Sequence, residues 1–251
     1  FLQSDNNFNT IYKTAQTILD KTCCVIIKNI GFVGEKTIFE AFVKQFGEFY
    51  GAVEYTDIKL DCPYSGCNYE PIEFHNDDAI DLDNQPLYSF IQVQNEDPLH
   101  ITQNTLVKVN DIVSYLKVYD KDLLERLLNT KIKMLAYGVN YDGESSKEII
   151  TDEPILYIKD DVFYVRFDET RVKHYFWKKQ VIQDAKERLL IEEFLALARK
   201  FQYEFYLQKG DILIFNNKQT LHGRTECSME LNVDGSLNTR EIFVSFVRDN
   251  A

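Results

Sequence analysis

The chain has 251 residues, of which 45% are hydrophobic and 14% are aromatic, and its formal net charge is -12. This length and composition predict a folded domain with a substantial core and exclude a disordered chain. The acidic balance excludes a nucleic-acid-binding surface, which requires a basic face, and no apolar run approaches the roughly 18 residues of a membrane span. We therefore expect one domain over residues 1–251, with neither nucleic acid nor membrane as a partner.

The cysteines and the first residues bear on the cellular compartment. The five cysteines are an odd number without CxxC spacing, so we do not expect a disulfide framework or a structural zinc site, although Cys62 and Cys67 could pair across a loop. Residues 1–5 have neither the basic nor the apolar region of a signal peptide, and the missing Met is consistent with a trimmed chain. These features favour a reducing, cytoplasmic location.

Helical and strand patterns alternate in the first third of the chain. Residues 7–21 and 35–50 have the apolar spacing of amphipathic helices, and residues 23–27 form a β-branched run that predicts a strand. The mixed stretch 51–72 is predicted to be a loop that covers a site. We expect the helices within residues 7–50 to pack on a core that later strands form.

Strand patterns outnumber helix patterns after residue 80. The sequence predicts helices at 110–118, 120–128 and 180–200, and strands at 87–94, 101–107, 131–137, 155–158, 162–167, 205–207, 211–215 and 241–247. A polar loop is predicted at 140–152, and GxGxxG and Walker sequences are absent. The wide spacing between strands suits a mainly β fold of two packed sheets, a jelly roll with flanking helices, and not a parallel βαβ array.

The stretch from Gly210 to Thr225 carries the first functional signal. Residues 211–215 read as a strand that is apolar on both faces and therefore buried. His222 follows a polar bend beyond this strand, at the edge of a rigid core, where a metal ligand can be held in place. An isolated histidine there is more often a core residue bonded to a carbonyl, so a metal site requires further ligands.

Those ligands are found in the segment Phe74–Ala79, which contains His75 and Asp77. Residues i and i+2 of an extended segment project to the same side, so both side chains can share a metal. The rival carboxylate, Asp78, would point away. Alone, His-x-Asp is a weak signal that also occurs in surface loops, but with His222 it completes the two-histidine, one-carboxylate triad of non-haem Fe(II) oxygenases.

Together these segments resemble the clavaminate synthase-like branch of the taurine dioxygenase family, which are Fe(II)- and 2-oxoglutarate-dependent oxygenases. The family pattern is a His-x-Asp/Glu, a Gly-Asp-leading strand that ends in His-Gly-Arg-Thr, and an Arg on the next strand. The matching residues are Phe74–Ala79, Gly210–Asn217 and Leu221–Glu226. The resemblance runs from about residue 23 to the C-terminus, diffusely in the middle third. It implies a double-stranded β-helix, with Fe(II), 2-oxoglutarate and O2 as cofactor and cosubstrates.

The resemblance also implies roles for individual residues. His75, Asp77 and His222 match the iron ligands. Arg240 matches the arginine that binds the distal carboxylate of 2-oxoglutarate, a task that suits a planar guanidinium, although an ordinary surface role remains the alternative. Thr105 matches the threonine that contacts the same carboxylate, and Thr102 competes for this role.

Two departures from the family pattern concern the binding of 2-oxoglutarate. Many relatives carry a second Arg four residues after the first, where this chain has Val244, and many have Gly-Gly before the threonine, where it has Leu99-His100. These departures predict a different set of contacts to 2-oxoglutarate and leave the metal triad intact.

The implied activity is oxidation of an unactivated C–H bond by hydroxylation, desaturation or a related reaction, with release of succinate and CO2. Halogenation is disfavoured, because related halogenases have Gly or Ala at the position of Asp77. Relatives often act on amino acids or their derivatives, so we expect a small amino-acid-like substrate, and the acidic balance favours a cationic one. The alternative is a catalytically silent jelly-roll protein that binds a small molecule or a partner.

Other residues are weaker candidates. Arg166 could meet a substrate carboxylate, although a solvated hairpin edge is an equally good interpretation of its position. Glu54, Tyr55 and the segment 140–180 are predicted lid elements. Structural or surface roles are predicted for the remaining histidines, His100 and His174. The sequence does not determine the oligomeric state.

Overall fold

The computed structural model of the chain describes residues 5–62, 66–80, 85–137 and 148–249. The helices of these residues are α1 (Asp5–Thr22), α2 (Lys36–Val43), α3 (Val109–Tyr119), α4 (Lys121–Asn129), α5 (Glu169–Lys179) and α6 (Ala185–Phe201). The strands are β1 (Cys24–Ile27), β2 (Glu48–Asp57), β3 (Ile72–His75), β4 (Tyr88–Asn95), β5 (Asn104–Lys108), β6 (Lys131–Tyr137), β7 (Glu148–Pro154), β8 (Leu156–Lys159), β9 (Val162–Val165), β10 (Gln202–Phe205), β11 (Ile212–Asn216), β12 (Thr220–Arg224), β13 (Met229–Leu231), β14 (Leu237–Thr239) and β15 (Glu241–Arg248).

Two antiparallel sheets form the body of the fold. One has five strands in the order β1-β11-β4-β15-β2, and the other has four in the order β10-β5-β12-β3. Neighbouring strands come from distant parts of the chain, since β15 pairs with both β2 and β4. This arrangement confirms the predicted double-stranded β-helix with flanking helices.

Strand β11 explains how the two sheets are held together. Its residues 212–215 are at most 2% exposed, which confirms the predicted strand buried on both faces. Leu213 and Phe215 pack in a cluster with residues of β4, β5 and β15 between the sheets, whereas Ile212 and Ile214 pack with α1 and α2. Because side chains alternate along a strand, one apolar strand can serve both layers.

The outer face of the four-stranded sheet is covered by a second helical layer. Val107 of β5 and Leu221 of β12 pack with apolar residues of α3, α4 and α6. Helix α4 begins at Asp120, whose side chain accepts a hydrogen bond from the backbone N–H of Leu123 at 3.0 Å. The helices therefore enclose the sheets, while the space between the sheets remains accessible at one end.

Some predicted boundaries were wrong. The helix predicted at 35–50 ends at Val43, and the predicted loop at 51–72 begins as β2, which pairs with the edge of β15. The helix predicted at 180–200 begins only at Ala185, because Asp184 caps it. Helix α5 was missed, since its aromatic and basic sequence has little apolar periodicity. The predicted polar loop at 140–152 includes part of β7, and residues 138–147 lie outside the described residues.

Of the five cysteines, one pair is joined, and it is the pair that the sequence left open. Cys62 and Cys67 are joined in a disulfide, with Cα atoms 5.8 Å apart, and Cys23, Cys24 and Cys227 are free. The two cysteines are five positions apart in sequence, so this local pairing is compatible with an odd cysteine count. Within the described part of the chain, none of the helices has the length and apolar character needed to cross a membrane.

Candidate active site

The two predicted histidine ligands lie on neighbouring strands at the open end of the β-helix. His75, the last residue of β3, is the register partner of His222 in β12, and their ring centroids are 4.0 Å apart. His222 lies in the middle of β12, and not beyond the end of a strand as the sequence suggested. Strand pairing thus brings together two histidines that are far apart in sequence.

Asp77 completes a cluster that can hold one metal ion. Its Oδ1 lies 3.9 Å from Nε2 of His75 and 3.7 Å from Nε2 of His222, and the three ligand atoms lie within 4.8 Å of one another. Two ligands that are each about 2.1 Å from a common ion can be no more than about 4.2 Å apart. Both carboxylate–imidazole distances meet this limit, and the third pair lies within 4.8 Å, so the three residues are close enough to be candidates for a shared ion.

Hydrogen bonds orient two of the three ligands toward this point. The His75 Nδ1–H donates to the carbonyl oxygen of Glu73 at 2.9 Å, which leaves Nε2 free for a metal. The Ser89 hydroxyl donates to Oδ2 of Asp77 at 2.6 Å, which leaves Oδ1 facing the histidines. Burial raises the pKa of Asp77, and this effect is opposed by His75 and the Ser89 hydrogen bond.

His222 is the most buried of the three ligands, and this burial favours the neutral form of its imidazole. Burial lowers its pKa well below the usual value, and the neighbouring His75 lowers it further. A neutral imidazole offers the lone pair that a metal requires. Its buried Nδ1 has no hydrogen-bond partner among the described residues.

Asn76, between the two ligands of His-x-Asp, holds this segment in the fold. Its side-chain N–H groups donate to the carbonyl oxygens of Asn217 at 2.5 Å and Thr220 at 2.6 Å, and its Oδ1 accepts from the backbone N–H of Phe167 at 3.0 Å. Asn217 returns the contact, because its Oδ1 accepts from the Asp77 N–H at 2.8 Å. These buried bonds connect the first two ligands to the turn that precedes His222.

The residues after His222 have distinct structural tasks. A Cβ atom added to Gly223 would lie 2.5 Å from the carbonyl oxygen of Ile72 and 3.0 Å from the Thr105 hydroxyl, so only glycine permits this close strand packing. Arg224 donates to the carbonyl oxygens of Glu70 at 2.7 Å and Asn68 at 2.5 Å. The His-Gly-Arg sequence therefore supplies a ligand, a close strand contact and a support for the loop before β3.

A cavity of about 190 Å³ extends from the triad between the two sheets. Arg240, which directly precedes β15, lines it and is 7% exposed. Its Nη2 donates to Oδ1 of Asn104 at 3.1 Å, and no ion pair joins it to a carboxylate of the described residues. Burial lowers the pKa of Arg240 to about 10, so the guanidinium remains charged at neutral pH. The cavity therefore has a metal-binding cluster and a buried cation.

Comparison with known proteins agrees with this geometry. Residues 5–233 match the family described as taurine catabolism dioxygenase TauD, TfdA family. The chain belongs to this family. The predicted class, a 2-oxoglutarate-dependent non-haem iron dioxygenase, is thereby confirmed. No curated protein sequence matches the chain.

Solved structures of the same fold include several oxygenases. An asparagine oxygenase in complex with Fe(II), 3-hydroxyasparagine and succinate has a TM-score of 0.73 and 16% identity, over 98% of this chain and 82% of that one. The non-haem iron oxygenase OrfP, in complex with Fe and α-ketoglutaric acid, has a TM-score of 0.67 and 15% identity, over 98% and 80%. A taurine dioxygenase from Burkholderia xenovorans has a TM-score of 0.65 and 14% identity, over 100% and 84%.

The TauD/TfdA pattern predicted Thr105 as a second cosubstrate contact, but Asn104 occupies the place beside Arg240. Alternation along β5 directs Asn104 into the cavity, whereas Thr105 lines a separate pocket on the outer side of the sheet. The competing Thr102 donates from its hydroxyl to the carbonyl oxygen of Glu226 at 3.0 Å. A shift of one residue along β5 therefore decides which polar side chain meets the arginine.

The placement of Arg166 argues against the predicted substrate role. Its side chain is fully buried, and it donates to the Thr151 hydroxyl at 2.7 Å and to the carbonyl oxygens of Ile132 and Glu153. It does not line the triad cavity. Burial lowers the pKa of Arg166 to about 10. This arginine connects β9 to β6 and β7, a buried role that the polar sequence around the hairpin conceals.

The remaining candidates divide between the cavity and the surface. Glu54 of the predicted lid lines the cavity, whereas Tyr55 projects to the other side of β2 and contacts Phe243. His100 is largely exposed, with Nδ1 3.4 Å from a Glu96 carboxylate oxygen. His174 lies on α5, where its ring is tilted against that of Trp177 with centroids 5.9 Å apart. Both histidines lie outside the cavity lining, as predicted.

Several residues that shape the site were not predicted from the sequence. Ser89, Asn76 and Asn217 orient or support Asp77, and Asn104 contacts Arg240. Asn76 and Asn217 each adjoin a recognisable motif, and buried amides beside a ligand often make such bonds. Ser89 gave no local signal, because its role depends on β4 lying across from Asp77.

Proposed function

We propose that this chain oxidises an unactivated C–H bond of an amino acid or an amino-acid-derived metabolite, with His75, Asp77 and His222 as the ligands of its iron. The observation that supports this most strongly is the complete triad beside a cavity that also contains the buried guanidinium of Arg240, which has no carboxylate partner among the described residues. A catalytically silent protein with this fold would not require both the metal-binding triad and the buried guanidinium. We infer that all 251 residues form one catalytic domain, since α1 and α2 pack directly on the five-stranded sheet.

Iron with 2-oxoglutarate and dioxygen supplies the oxidising chemistry and releases succinate and CO2. His75, Asp77 and His222 would hold the iron. The Ser89 hydrogen bond and the Glu73 carbonyl fix the orientation of two ligands. Asp77 also occupies the position that a halide would need, so this proposal assigns oxygenation and not halogenation.

Arg240 is the residue that we assign to the distal carboxylate of 2-oxoglutarate. A buried charge is costly unless it is paired, and among the described residues the hydrogen-bond partner of Arg240 is the neutral amide of Asn104. A dicarboxylate that bridges from the metal to the guanidinium would supply the missing anion. We assign to Asn104 the contact predicted for Thr105, because its amide already lies beside Arg240.

The amino-acid substrate is supported by similar structures and by the size of the cavity. The asparagine oxygenase was solved with 3-hydroxyasparagine, and OrfP with (3S)-hydroxy-L-Arg and (3R,4R)-dihydroxy-L-Arg. The cavity of about 190 Å³ is small, and compact ligands are appropriate to it. A small polar substrate is therefore the class we assign.

Anaerobic titration of Fe(II) and 2-oxoglutarate into metal-free protein tests the proposal. Chelation of the keto acid to iron produces a visible absorption band, which we expect in the unmodified chain and in the surface control His100→Ala. His75→Ala and Asp77→Ala should lose the band while the fold, followed by circular dichroism, is retained. Arg240→Ala should keep iron binding but require at least tenfold more 2-oxoglutarate, since a charge-assisted hydrogen-bond pair is lost.

Two results would oppose this assignment. A folded chain that binds Fe(II) and 2-oxoglutarate without forming the band would leave the silent jelly-roll protein as the better interpretation. Full succinate production by both triad variants would show that the ligands lie elsewhere.

A further inference from the structure

The part of the cavity that faces the triad from the other sheet has a distinct chemical character. Glu54 and Thr56 of the edge strand β2 line it beside Val244 and Phe246 of β15. Glu54 is the register partner of Val244, so the carboxylate stands at the border of an apolar wall. Apart from the candidate iron ligand Asp77, Glu54 is the only acidic residue among the described residues that line this cavity.

The Glu54 carboxylate has no cation bound to it within the described part of the chain. No ion pair or hydrogen bond joins it to a basic or donor side chain, and no positive group opposes the rise of its pKa. The Glu54 side chain is solvent-exposed, although it lines the cavity. Partial desolvation raises its pKa, and the negative charges of Asp77 and Asp78 raise it further. An accessible carboxylate without a counter-ion can pair with the positive group of a ligand.

The two arginines that line the cavity are assigned to partners other than Glu54. Arg224 donates to the carbonyl oxygens of Asn68 and Glu70, and Arg240 is assigned to 2-oxoglutarate. The position four residues after Arg240, where many relatives carry a second arginine, is Val244. The part of the cavity lined by Glu54, Thr56, Val244 and Phe246 therefore contains one anion and no cation.

We propose that Glu54 is a specificity-determining residue that binds the ammonium or guanidinium group of the molecule oxidised at this site. The proposal rests on the function proposed above and narrows its substrate class to cationic compounds with a short apolar segment. The apolar segment contacts Val244 and Phe246, and the charged group pairs with Glu54 across the cavity from the triad. Glu54 acts in binding and takes no part in holding the metal or 2-oxoglutarate.

Calorimetric binding to the anaerobic Fe(II)–2-oxoglutarate complex tests this inference. L-Arginine and L-ornithine are compared with L-citrulline and L-norvaline, which have no side-chain charge, and with Nα-acetyl-L-arginine, which has no α-ammonium group. The variant Glu54→Gln removes the charge with little change of shape. We expect it to raise the Kd of the preferred cationic ligand about tenfold or more, the loss appropriate to one charge-assisted hydrogen bond.

Glu48→Gln is the matched control, because Glu48 lies on the same strand but does not line the cavity. It should bind every ligand as the unmodified chain does. Both variants should form the visible iron–2-oxoglutarate band at unchanged concentrations, which separates this test from that of the proposed function. Selective loss of arginine and ornithine binding would assign the side-chain cation to Glu54, and an equal loss for all free amino acids would assign the α-ammonium group.

Two outcomes would overturn the inference while the band still forms. One is that none of these cationic ligands binds to the unmodified complex. The other is that Glu54→Gln binds them with unchanged affinity. If the band itself fails to form in the unmodified chain, the proposed function fails first, and the specificity of Glu54 is refuted with it.

Discussion

Replacing Asn76 by alanine removes the connection between the His-x-Asp segment and the turn before His222. Three hydrogen bonds of the buried side chain would be lost, to the carbonyl oxygens of Asn217 and Thr220 and from the N–H of Phe167. Each such bond contributes about 1–1.5 kcal/mol net, and the abandoned backbone groups would remain buried. We therefore expect Asn76→Ala to lower the free energy of unfolding by about 3–5 kcal/mol, a large part of the 5–15 kcal/mol typical of a domain.

Urea denaturation followed by circular dichroism measures this loss, and Fe(II) titration shows whether it reaches the triad. The control is Asn129→Ala, where an exposed amide makes one hydrogen bond to the carbonyl oxygen of Glu125; it should cost less than about 0.5 kcal/mol. Asn76→Ala should also weaken Fe(II) binding, because Asp77 follows directly. A loss below about 1 kcal/mol, with unchanged Fe(II) affinity, would refute the view that Asn76 holds the ligand segment.

Two further changes test other contacts. Gly223→Ala should destabilise the fold by about 1–3 kcal/mol and weaken Fe(II) binding, because its Cβ would lie 2.5 Å from the Ile72 carbonyl oxygen. The control is Gly66→Ala, where the space is open, and its thermal unfolding should be unchanged. Equal destabilisation by both substitutions would contradict the steric explanation. Burial tends to raise the pKa of Asp97, but hydrogen bonds from Ser228 and Ile101 lower it overall. The resulting stability is present above the unfolded pKa of about 3.9 and is lost as pH falls through the lower folded pKa. In urea denaturation, Asp97→Asn should therefore lower the free energy of unfolding most at neutral pH and less under acid. A loss of stability that is independent of pH would oppose the ionic explanation.

The strand-rich architecture was predictable where the sequence alternates or is continuously apolar. Strands β4, β6 and β11 were located closely, because their burial depends on their own side chains. Strand β2 and helix α5 were missed for a different reason. Their sequences are polar or aromatic without a clear period, and their structure depends on pairing with β15 and packing near β6.

The polar contacts of the site show where prediction from spacing ends. The spacing of His75 and Asp77 placed both side chains on one side of the chain, but it could not place Ser89 opposite them. Likewise, the polar residues of β5 were recognised, but their register against β12 directs Asn104, and not Thr105, toward Arg240. A shift of one residue reverses every side chain of a strand, so such contacts require the paired sheet.

The sequence by itself determined the family, the fold class and the residue types of the metal site. These follow from local patterns, namely His-x-Asp, a buried strand and His-Gly-Arg, and local patterns depend on few neighbours. Only the tertiary structure decided that Arg166 is a buried connector, that Asn104 meets Arg240, and that Glu54 faces the triad cavity. Each of these depends on strand register and burial between residues distant in sequence, because side-chain environment is created by the packing of both sheets.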